Sequence, residues 1–405
     1  MSNKKSAPKK KVISLFTGAM GLDIGLEQAG FEVVACVENE AKCVETIKLN
    51  RPEIALYPED INLVDPEKIL SDIGLKPGEV DLVVGGPPCQ PFSTAGKRRS
   101  LDDFRGNVII RFLDYVKTIK PSYFILENVR GIYSAKLSNT PPEYSEYSNI
   151  EDKPGSVVYF LYKEFEKLGY TVTFNLYDSS FYSVPQKRER FIMFGTLLKK
   201  PVAIPTPTSK ENPLTLRDAI SNIKGIQHDY IKLRDNLTQY LKLLKGGQNW
   251  RDLPIDIQPE AMGKSYKLQG GKTGFYRRLS WDKPSPTLVT HPSMPATMIV
   301  HPDELRPLSI QEYALLQQFP EGWKFAGKPI SIYKQIGNAV PTGLGKMAGQ
   351  AIINHMEGTQ NESYLEGTSR YNNTSSFDFI PDFEKSNLRN KNDQEQLPIF
   401  EVSTV

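Results

Sequence analysis

Short apolar runs alternate with amphipathic segments through the first half of the chain. Four runs have the length of buried strands, at residues 12–16, 32–37, 80–84 and 123–126. Two segments show the three-to-four-residue periodicity of helices, at residues 108–117 and 157–168. This alternation predicts an α/β fold built on a doubly wound, mainly parallel sheet. Because such sheets bind ligands beyond the carboxyl ends of their strands, functional residues are expected directly after these runs.

The pattern changes after residue 196, where prolines and glycines become frequent and periodicity weakens. Regular helical spacing returns near Ser309 and Glu312, which form a capping-box pattern, and it continues to His355. Beyond His355 the chain is polar and acidic, a composition typical of disorder. We therefore predict a basic N-terminal tail (1–11), a first domain (12–196), a smaller loop-rich domain (197–305), a return to the first domain (306–356) and a disordered C-terminal tail (357–405).

Composition and charge set further limits. The 405 residues are 39% hydrophobic and 24% charged, and none of the apolar runs reaches the ~20 residues that a membrane helix needs. Three cysteines cannot form a disulfide framework and lack metal-ligand spacing, so a cytoplasmic protein without a metal site is expected. Residues 197–305 carry sixteen Lys and Arg against ten Asp and Glu, a surplus that suits either a phosphate-facing surface or an ordinary solvated one.

Ligand-type residues follow three successive strands. The run at 12–16 leads into a glycine turn at 17–21, which lets the backbone approach a ligand closely. Glu38 ends the next strand, where a carboxylate can accept both ribose hydroxyls of a nucleoside. Asp60 and Ile61 follow a third short strand and are placed to contact an adenine ring. Each acid alone is more often a solvated loop residue, but the three features together predict an adenosine-type cofactor.

Two further strands lead to groups suited to covalent catalysis. The run at 80–84 continues into Gly-Gly-Pro-Pro before Cys89, which places this thiol on a stiff loop at the ligand edge. A thiolate is a soft nucleophile suited to an electron-poor ring carbon, although a lone cysteine is more often buried and inert. Glu127 ends the next strand and is expected near Cys89, where it can hydrogen-bond the pairing edge of a base. A helix-capping or surface carboxylate is the alternative for Glu127.

Polar side chains alternate with a period of two at Gln186, Arg188 and Arg190, directly before an apolar run. Extended backbone places all three on one face. Two guanidiniums facing the ligand edge can bind a carbonyl oxygen and a phosphate, and can hold Glu127 in place. A solvated, charged strand edge is the alternative.

The motifs occur together in the order found in one family. They are LFTGAMGLDIG, VEN, DI at 60–61, GGPPCQPFS, ENVRG, QKRERF, RPLSIQEYALLQQFP and YKQIGNAVP. Over about residues 12–356 the chain therefore resembles the DNA (cytosine-5) methyltransferases, which have a Rossmann-like S-adenosylmethionine-dependent domain. It departs from the family pattern at Met20, where glycine is usual, and at Asn39, where an aromatic or small residue is common.

The resemblance implies methyl transfer from S-adenosyl-L-methionine to carbon 5 of a flipped-out cytosine in duplex DNA, leaving S-adenosyl-L-homocysteine. By this similarity, the residues acting on cytosine are Cys89, Glu127, Arg188 and Arg190. The cofactor pocket is expected to include Phe16, Gly18, Gly21, Leu22, Glu38, Asp60, Ile61, Pro88, Asn338 and Val340. An RNA (tRNA) cytosine-5 methyltransferase with the same motifs is the alternative, and the basic insert at 197–305 favours duplex DNA.

Reaching a cytosine inside a duplex requires base flipping. The small, basic stretch after Cys89 is expected to be a mobile loop that closes on the extruded base, and residues 197–305 to be the target-recognition domain. DNA contacts are predicted for Gln90, Ser93, Lys97, Arg98, Arg99, Arg277 and Arg278. By analogy with the family, we expect a monomeric bacterial modification enzyme, linked genetically but not physically to a restriction endonuclease.

Overall fold

One seven-stranded sheet forms the centre of the protein. The computed structural model describes residues 9–88, 108–138, 140–223, 227–364 and 367–389. The strands of the sheet are β1 (Lys10–Leu15), β2 (Phe31–Val37), β3 (Ala55–Tyr57), β4 (Leu82–Gly85), β5 (Tyr123–Val129), β6 (Thr171–Asp178) and β8 (Glu189–Thr196), while β7 (Gln186–Lys187) pairs separately with β9 (Ser285–Pro286). The order is β3-β2-β1-β4-β5-β8-β6, and only β8 runs antiparallel to its neighbours. The predicted mainly parallel, doubly wound sheet is confirmed.

Helices cover both faces of this sheet. Those within the first half are α1 (Gly21–Gln28), α2 (Ala41–Asn50), α3 (Pro66–Asp72), α4 (Val108–Ile119) and α5 (Ser156–Lys167). Those that follow are α6 (Leu216–Ile220), α7 (Asp235–Leu241), α8 (Gln258–Met262), α9 (Ile310–Leu316), α10 (Pro329–Asn338), α11 (Thr342–Met356) and α12 (Ser376–Arg389). Within the described ranges, no helix has both the length and the apolar character needed to cross a bilayer.

Successive strand residues supply two separate cores. Phe124 and Leu126 of β5 pack in the core that includes α4 and α5, whereas Tyr123 and Ile125 pack in the core that includes α1 and α11. All four side chains are at most 3% exposed. Burial on both faces explains why this strand appears in the sequence as an unbroken apolar run.

Close glycine contacts join α1 to α11, the helix that returns from the far end of the chain. A Cβ atom added to Gly25 would lie 2.2 Å from the carbonyl oxygen of Thr342, and one added to Gly345 would lie 2.5 Å from that of Leu22. The two helices can therefore approach only because these positions lack side chains. This contact sets α10 and α11 beside the loop that follows β1.

A smaller core lies within residues 237–300. Its buried members are Leu237, Tyr240, Leu241, Leu244, Trp250, Leu253, Met262, Tyr276, Met298 and Val300. Val202, Ile204, Leu216 and Ile220 pack instead in the core that includes α11. The smaller core thus begins well after the predicted domain limit at residue 197, because the apolar residues of this connecting stretch are buried against the larger body.

The C-terminal segment differs from the expected disordered tail. Residues 376–389 form α12, and Phe379, Ile380 and Phe383 are 6–7% exposed. Their spacing places the three side chains on one side of a helix, which packs in the core containing α4 and α5. Composition predicts disorder here because polar residues dominate, yet three correctly spaced apolar side chains are enough to dock the segment.

Candidate active site

The central parallel strands end in line at one edge of the sheet. The register pairs are Leu15 with Val37, Val37 with Tyr57, Leu15 with Gly85, and Gly85 with Leu126. The next residue along β2 is Glu38, and the next along β5 is Glu127. The register therefore brings the predicted cofactor carboxylate and the predicted catalytic carboxylate to the same edge, where doubly wound folds bind ligands.

Glu38 joins the end of β2 to the glycine turn after β1. One oxygen of its carboxylate accepts from the backbone N–H of Gly18 at 2.6 Å, and the other accepts from that of Glu40 at 2.7 Å. Burial raises the pKa of Glu38, and these backbone hydrogen bonds oppose the rise. The side chain is 8% exposed. Each oxygen retains acceptor capacity, so the carboxylate can still bind hydroxyl groups.

Three residues of the turn after β1 have left-handed backbone conformations. The φ angles are 56° at Phe16, 57° at Gly18 and 68° at Met20. A Cβ atom added to Gly18 would meet none of the described residues within 4 Å, so the backbone here borders open space. Met20 precedes α1 and is fully buried. Its conformation gives a physical reason for glycine at this family position, and burial of the methionine side chain compensates in this chain.

Asp60 and Ile61 lie beyond the end of β3, as predicted. The exposed carboxylate of Asp60 accepts from the backbone and side-chain nitrogens of Asn62, both at 2.9 Å. Ile61 is 4% exposed, and its carbonyl oxygen accepts from Arg111 Nε at 3.3 Å. These contacts fix the loop, while the carboxylate of Asp60 is open to solvent.

Glu127 and Arg190 form a buried ion pair between β5 and β8. Arg190 Nε lies 2.8 Å from Glu127 Oε1, and the two residues are 8% and 7% exposed. The contact is ionic rather than an aligned hydrogen bond, because Oε1 has no hydrogen-bond partner among the described residues. A Cβ atom added to Gly86 would lie 2.6 Å from the other oxygen of Glu127, so glycine is required beside it. Oε1 is therefore a buried oxygen that faces a cation and has acceptor capacity left unused by the described residues.

The electrostatics of this pair favour a carboxyl group that can carry a proton. Burial raises the pKa of Glu127, and the positive charges of Arg190 and then Arg188 oppose that rise. For Arg190 burial lowers the pKa, because it disfavours the charged guanidinium, and the negative charge of Glu127 opposes this fall. A buried carboxyl group whose pKa is raised above its ordinary value holds a proton more readily than an exposed one, which suits proton donation.

Arg188 has a different environment from the one predicted. Its guanidinium donates to the carbonyl oxygens of Leu288 at 3.1 Å, Gly337 at 2.7 Å and Asn338 at 3.4 Å. Of the two arginines, Arg190 is the one that pairs with Glu127. Arg188 lies between β7 and β8, and it connects this part of the chain to the segment after β9 and to the end of α10. The alternation in sequence is real, but these partners of Arg188 lie at least 100 residues away and leave no local signal.

Two further residues, neither predicted from the sequence, stabilise the site. The Nδ2 group of Asn128 donates to the carbonyl oxygen of Pro87 at 3.2 Å, which fixes the chain as it approaches position 89. The Nε2 group of Gln317 donates to Ile336 O at 2.6 Å and Ala339 O at 3.0 Å. Both lie in the motifs ENVRG and LLQQFP, so motif position is the available signal for each.

Several predicted site residues lie outside the described part of the chain. Pro88 is exposed at the last described position before the gap. The predicted nucleophile Cys89 and five predicted DNA contacts follow it and are outside the described residues, namely Gln90, Ser93, Lys97, Arg98 and Arg99. The described residues just before the gap lie beside the end of β5, with Gly86 next to the Glu127 carboxylate and Pro87 bonded to Asn128.

The remaining predicted pocket residues border the α1–α11 contact. A Cβ atom added to Gly21 would lie 2.3 Å from the carbonyl oxygen of Val340, so this glycine serves helix packing. Leu22 and Val340 are 8% and 7% exposed, and Asn338 is exposed at the end of α10. They lie on the same side of the turn after β1, where α10 ends.

The two arginines predicted to contact DNA differ in burial and in their bonds within the protein. Arg278 is 8% exposed, and its guanidinium donates to the carbonyl oxygens of Leu244 at 2.8 Å and His301 at 3.4 Å. The half-buried Arg277 donates from Nε to Met298 O at 2.9 Å, and burial lowers its pKa to about 10. The DNA-contact prediction does not fit Arg278, because burial removes its guanidinium from any phosphate and loop carbonyls occupy its donors.

Comparison with known proteins identifies a family. The family model described as C-5 cytosine-specific DNA methylase matches residues 10–354. The type II methyltransferase M.PspPI of a Psychrobacter strain is 40% identical over 350 residues, covering 84% of this chain and 78% of that protein. The type II methyltransferase M.Sau96I of Staphylococcus aureus is 35% identical over 368 residues, covering 88% and 78%.

Solved structures match at the level of fold. A proposed DNA modification methyltransferase encoded within an Escherichia coli prophage has a TM-score of 0.59 and 24% identity, covering 86% of this chain and 99% of that one. A Spodoptera frugiperda DNMT2 mutant has a TM-score of 0.54 and 15% identity, covering 85% and 99%. At these identities the likeness concerns the sheet and its helices alone.

Proposed function

Since the chain belongs to the family of C-5 cytosine-specific DNA methylases, we propose that it methylates carbon 5 of a cytosine flipped out of a specific duplex DNA sequence, using Cys89 as the covalent nucleophile. The observation that carries the proposal is the buried Glu127–Arg190 pair. It lies at the same edge of the sheet as Glu38, which we propose binds the ribose of the cofactor.

The residues at this edge fit S-adenosylmethionine, the methyl donor used by the family. Gly18 borders open space, and the buried Glu38 carboxylate keeps acceptor capacity toward ribose hydroxyls. We propose that Asp60 and Ile61 contact the adenine ring, and that Phe16, Pro88, Asn338 and Val340 make further contacts. When bound, the cofactor supplies an electrophilic methyl group. We propose that no metal takes part.

Glu127 and Cys89 divide the proposed activation of cytosine between them. The Cys89 thiolate bonds to carbon 6 of the ring while the Glu127 carboxyl donates a proton to ring nitrogen 3, which makes carbon 5 nucleophilic. After carbon 5 is methylated, its proton passes to water or another base, the bond between carbon 6 and the Cys89 sulfur breaks to release the thiolate, and nitrogen 3 returns its proton to Glu127. Arg190 orients the Glu127 carboxyl throughout, and Arg188 is proposed to act by holding the strand that presents Arg190.

Duplex DNA is the proposed substrate, and a fixed basic loop in the target-recognition domain supports this. Lys264 and Lys267 are exposed. The nearby Lys272 Nζ donates to the carbonyl oxygens of Ser265 at 3.1 Å and Tyr266 at 2.9 Å, which pins the loop. Exposed lysines on a fixed loop are suited to phosphate contacts. Lys97, Arg98 and Arg99 remain proposed contacts from the segment after Cys89.

The biological setting is proposed from the relatives. M.PspPI and M.Sau96I are named type II methyltransferases, and we propose that this chain likewise modifies DNA within a restriction–modification system in a bacterial cytoplasm. Its partner endonuclease would be linked genetically. We propose that the chain acts as a monomer.

Bisulfite sequencing tests the proposal and reports the recognised sequence. Cells that lack cytosine-5 methylation would express the wild-type chain or C89A, and both DNA and RNA would be sequenced after bisulfite treatment. We expect protected cytosines in one recurrent DNA sequence with wild type and none with C89A. Absence of protection, protection confined to RNA, or equal protection by C89A would contradict it.

A further inference from the structure

Residues 367–389, here called the C-terminal strap, follow the part of the chain that the family model matches, residues 10–354. The strap runs along one edge of the sheet. The strap begins at β6, the edge strand. The backbone N–H of Asp178 donates to Thr368 O at 2.8 Å, and Thr368 Oγ1 donates to Leu176 O at 2.8 Å. Thr374 Oγ1 donates to Asn175 Oδ1 at 2.6 Å. The strap is thus bonded to the half of β6 nearest the active site.

The helix of the strap holds it in place through aromatic contacts. The ring centroid of Phe379 lies 5.4 Å from that of Tyr133 and 5.8 Å from that of Phe174. Phe383 stacks on Tyr159 of α5 with centroids 4.8 Å apart. Such contacts bury apolar area along the helix, so the strap is anchored independently of its polar residues.

A charged cluster lies where the strap passes the start of β8. Arg370 Nε donates to Glu189 Oε1 at 2.8 Å, and Arg130 Nε lies 3.8 Å from Glu189 Oε2. The two guanidiniums also flank Tyr371, at 5.0 Å and 4.3 Å from its ring centroid. Burial raises the pKa of Glu189, and Arg370 is the first of the charges that oppose this rise. Arg370 therefore stabilises the ionised form of a largely buried carboxylate.

This cluster is one residue away from the catalytic pair. Glu189 and Arg190 are consecutive on β8, so their side chains lie on opposite faces of the sheet. Arg190 pairs with Glu127 on one face of the sheet. Glu189 pairs on the other face with Arg130, which follows Glu127 by three residues. Arg190 Nη1 also donates to the carbonyl oxygen of Glu189 at 2.8 Å. The end of β5 and the start of β8 are therefore joined by two ion pairs, and the strap supplies a third charge to the outer one.

We propose that Arg370 is a positioning residue, through which the C-terminal strap fixes β8 so that Arg190 meets Glu127. The inference rests on the proposed function, since it assigns the strap to the same reaction. It predicts an effect on the methylation step itself, because small displacements of catalytic groups slow reactions that depend on their orientation. Binding of S-adenosylmethionine at Glu38 is untouched, since the strap lies at the opposite edge of the sheet.

The test compares full-length R370A and R370K with the control R51A. Arg51 is a matched control outside residues 197–305, because it also donates to a carboxylate, Glu27, at 2.8 Å and lies over an aromatic ring, Trp323, at 5.3 Å. We expect R370A to lower the rate of methylation at saturating DNA and cofactor by about three- to tenfold, with KM for S-adenosylmethionine unchanged. R370K should recover part of the rate, and R51A should match wild type.

The outcomes separate this inference from the proposed function. Wild-type protein that methylates no DNA overturns both. Active wild type with an equally active R370A overturns the strap proposal alone. The strap proposal also fails if R370A loses only thermal stability while its folded fraction keeps the full rate, or if KM for S-adenosylmethionine rises in place of the fall in rate.

Discussion

Arg190 Nε lies 2.8 Å from Glu127 Oε1, and both side chains are buried. A guanidinium cannot lose its proton under ordinary conditions, so it supplies a fixed positive charge beside the carboxyl group. Burial raises the pKa of Glu127, and Arg190 limits that rise. Arg190 therefore orients a buried carboxyl group whose pKa lies above its ordinary value, as a proton donor to a base requires.

Replacing Glu127 by glutamine should preserve the shape of the site and remove the transferable proton. We expect E127Q to lower the single-turnover rate of methylation by about 10²- to 10⁴-fold, the usual contribution of a general acid. Binding of S-adenosylmethionine, measured by calorimetry, should stay near wild type because Glu38 is intact. A normal rate for E127Q would exclude Glu127 as the proton donor.

Glu38 is predicted to determine cofactor affinity. E38Q removes the charge that accepts hydrogen bonds from Gly18 and from ribose hydroxyls, and a hydrogen bond to a charged group contributes about 1.5–3 kcal/mol. S-adenosylmethionine affinity should fall by roughly tenfold to a hundredfold. E40Q is the control, because the exposed Glu40 carboxylate pairs with Lys334 at 2.8 Å. Equal affinities for E38Q and E40Q would argue against the assigned pocket.

The α1–α11 contact should tolerate no added side chain. In G25A the new methyl group would lie 2.2 Å from Thr342 O, so the helices must separate. Overpacking of this kind costs about 1–3 kcal/mol of unfolding free energy. Denaturant titration would measure it, with G271A as the control because a Cβ atom there meets none of the described residues within 4 Å. Equal stability of the two variants would contradict the close packing.

Asp23 is predicted to make stability depend on pH. It is 1% exposed, and burial, opposed by a hydrogen bond with Ser14, raises its pKa to about 7. An unfolded aspartate has a pKa of about 4, so between these values the unfolded state ionises while the folded state keeps its proton. The contribution of Asp23 to the free energy of unfolding therefore falls as pH rises from about 4 to about 7, by up to about 4 kcal/mol. It is constant at higher pH.

D23N cannot ionise and should lack this dependence. Denaturant titrations at about pH 5 and about pH 8 would give the stability difference between D23N and wild type on either side of the folded-state pKa, and the difference should favour D23N more at the higher pH. Comparing differences removes the effects of the substitution that do not depend on pH. A constant difference across this range would show that Asp23 ionises normally.

The sequence predicts the sheet and its ligand edge because both depend on local information. Fully buried strands appear as apolar runs, and parallel strands must end together, so the order of residues alone is enough to place Glu38 and Glu127 at one edge. The burial of Met20 and the glycine contacts of α1 cannot be predicted in this way, since they depend on which helix returns to pack there.

Long-range polar contacts are also beyond sequence analysis. Arg188 binds carbonyl groups at residues 288, 337 and 338, and Arg278 binds carbonyl groups of its own domain. The sequence favours ligand contacts for Arg188 because it alternates with Gln186 and Arg190 in a family motif, and for Arg278 because it lies in a basic region. Composition likewise favours disorder for the C-terminal strap, although Phe379 and Phe383 have helical spacing.

The central claim is that Cys89 bonds to the target cytosine, and a trapping experiment tests it directly. A duplex carrying 5-fluorocytosine at the methylated position, incubated with protein and S-adenosylmethionine, cannot lose a proton from carbon 5, so the adduct persists. Denaturing electrophoresis should show a covalent protein–DNA complex with wild type and none with C89A. Absence of the complex with active wild-type protein, or its persistence with C89A, would contradict the account.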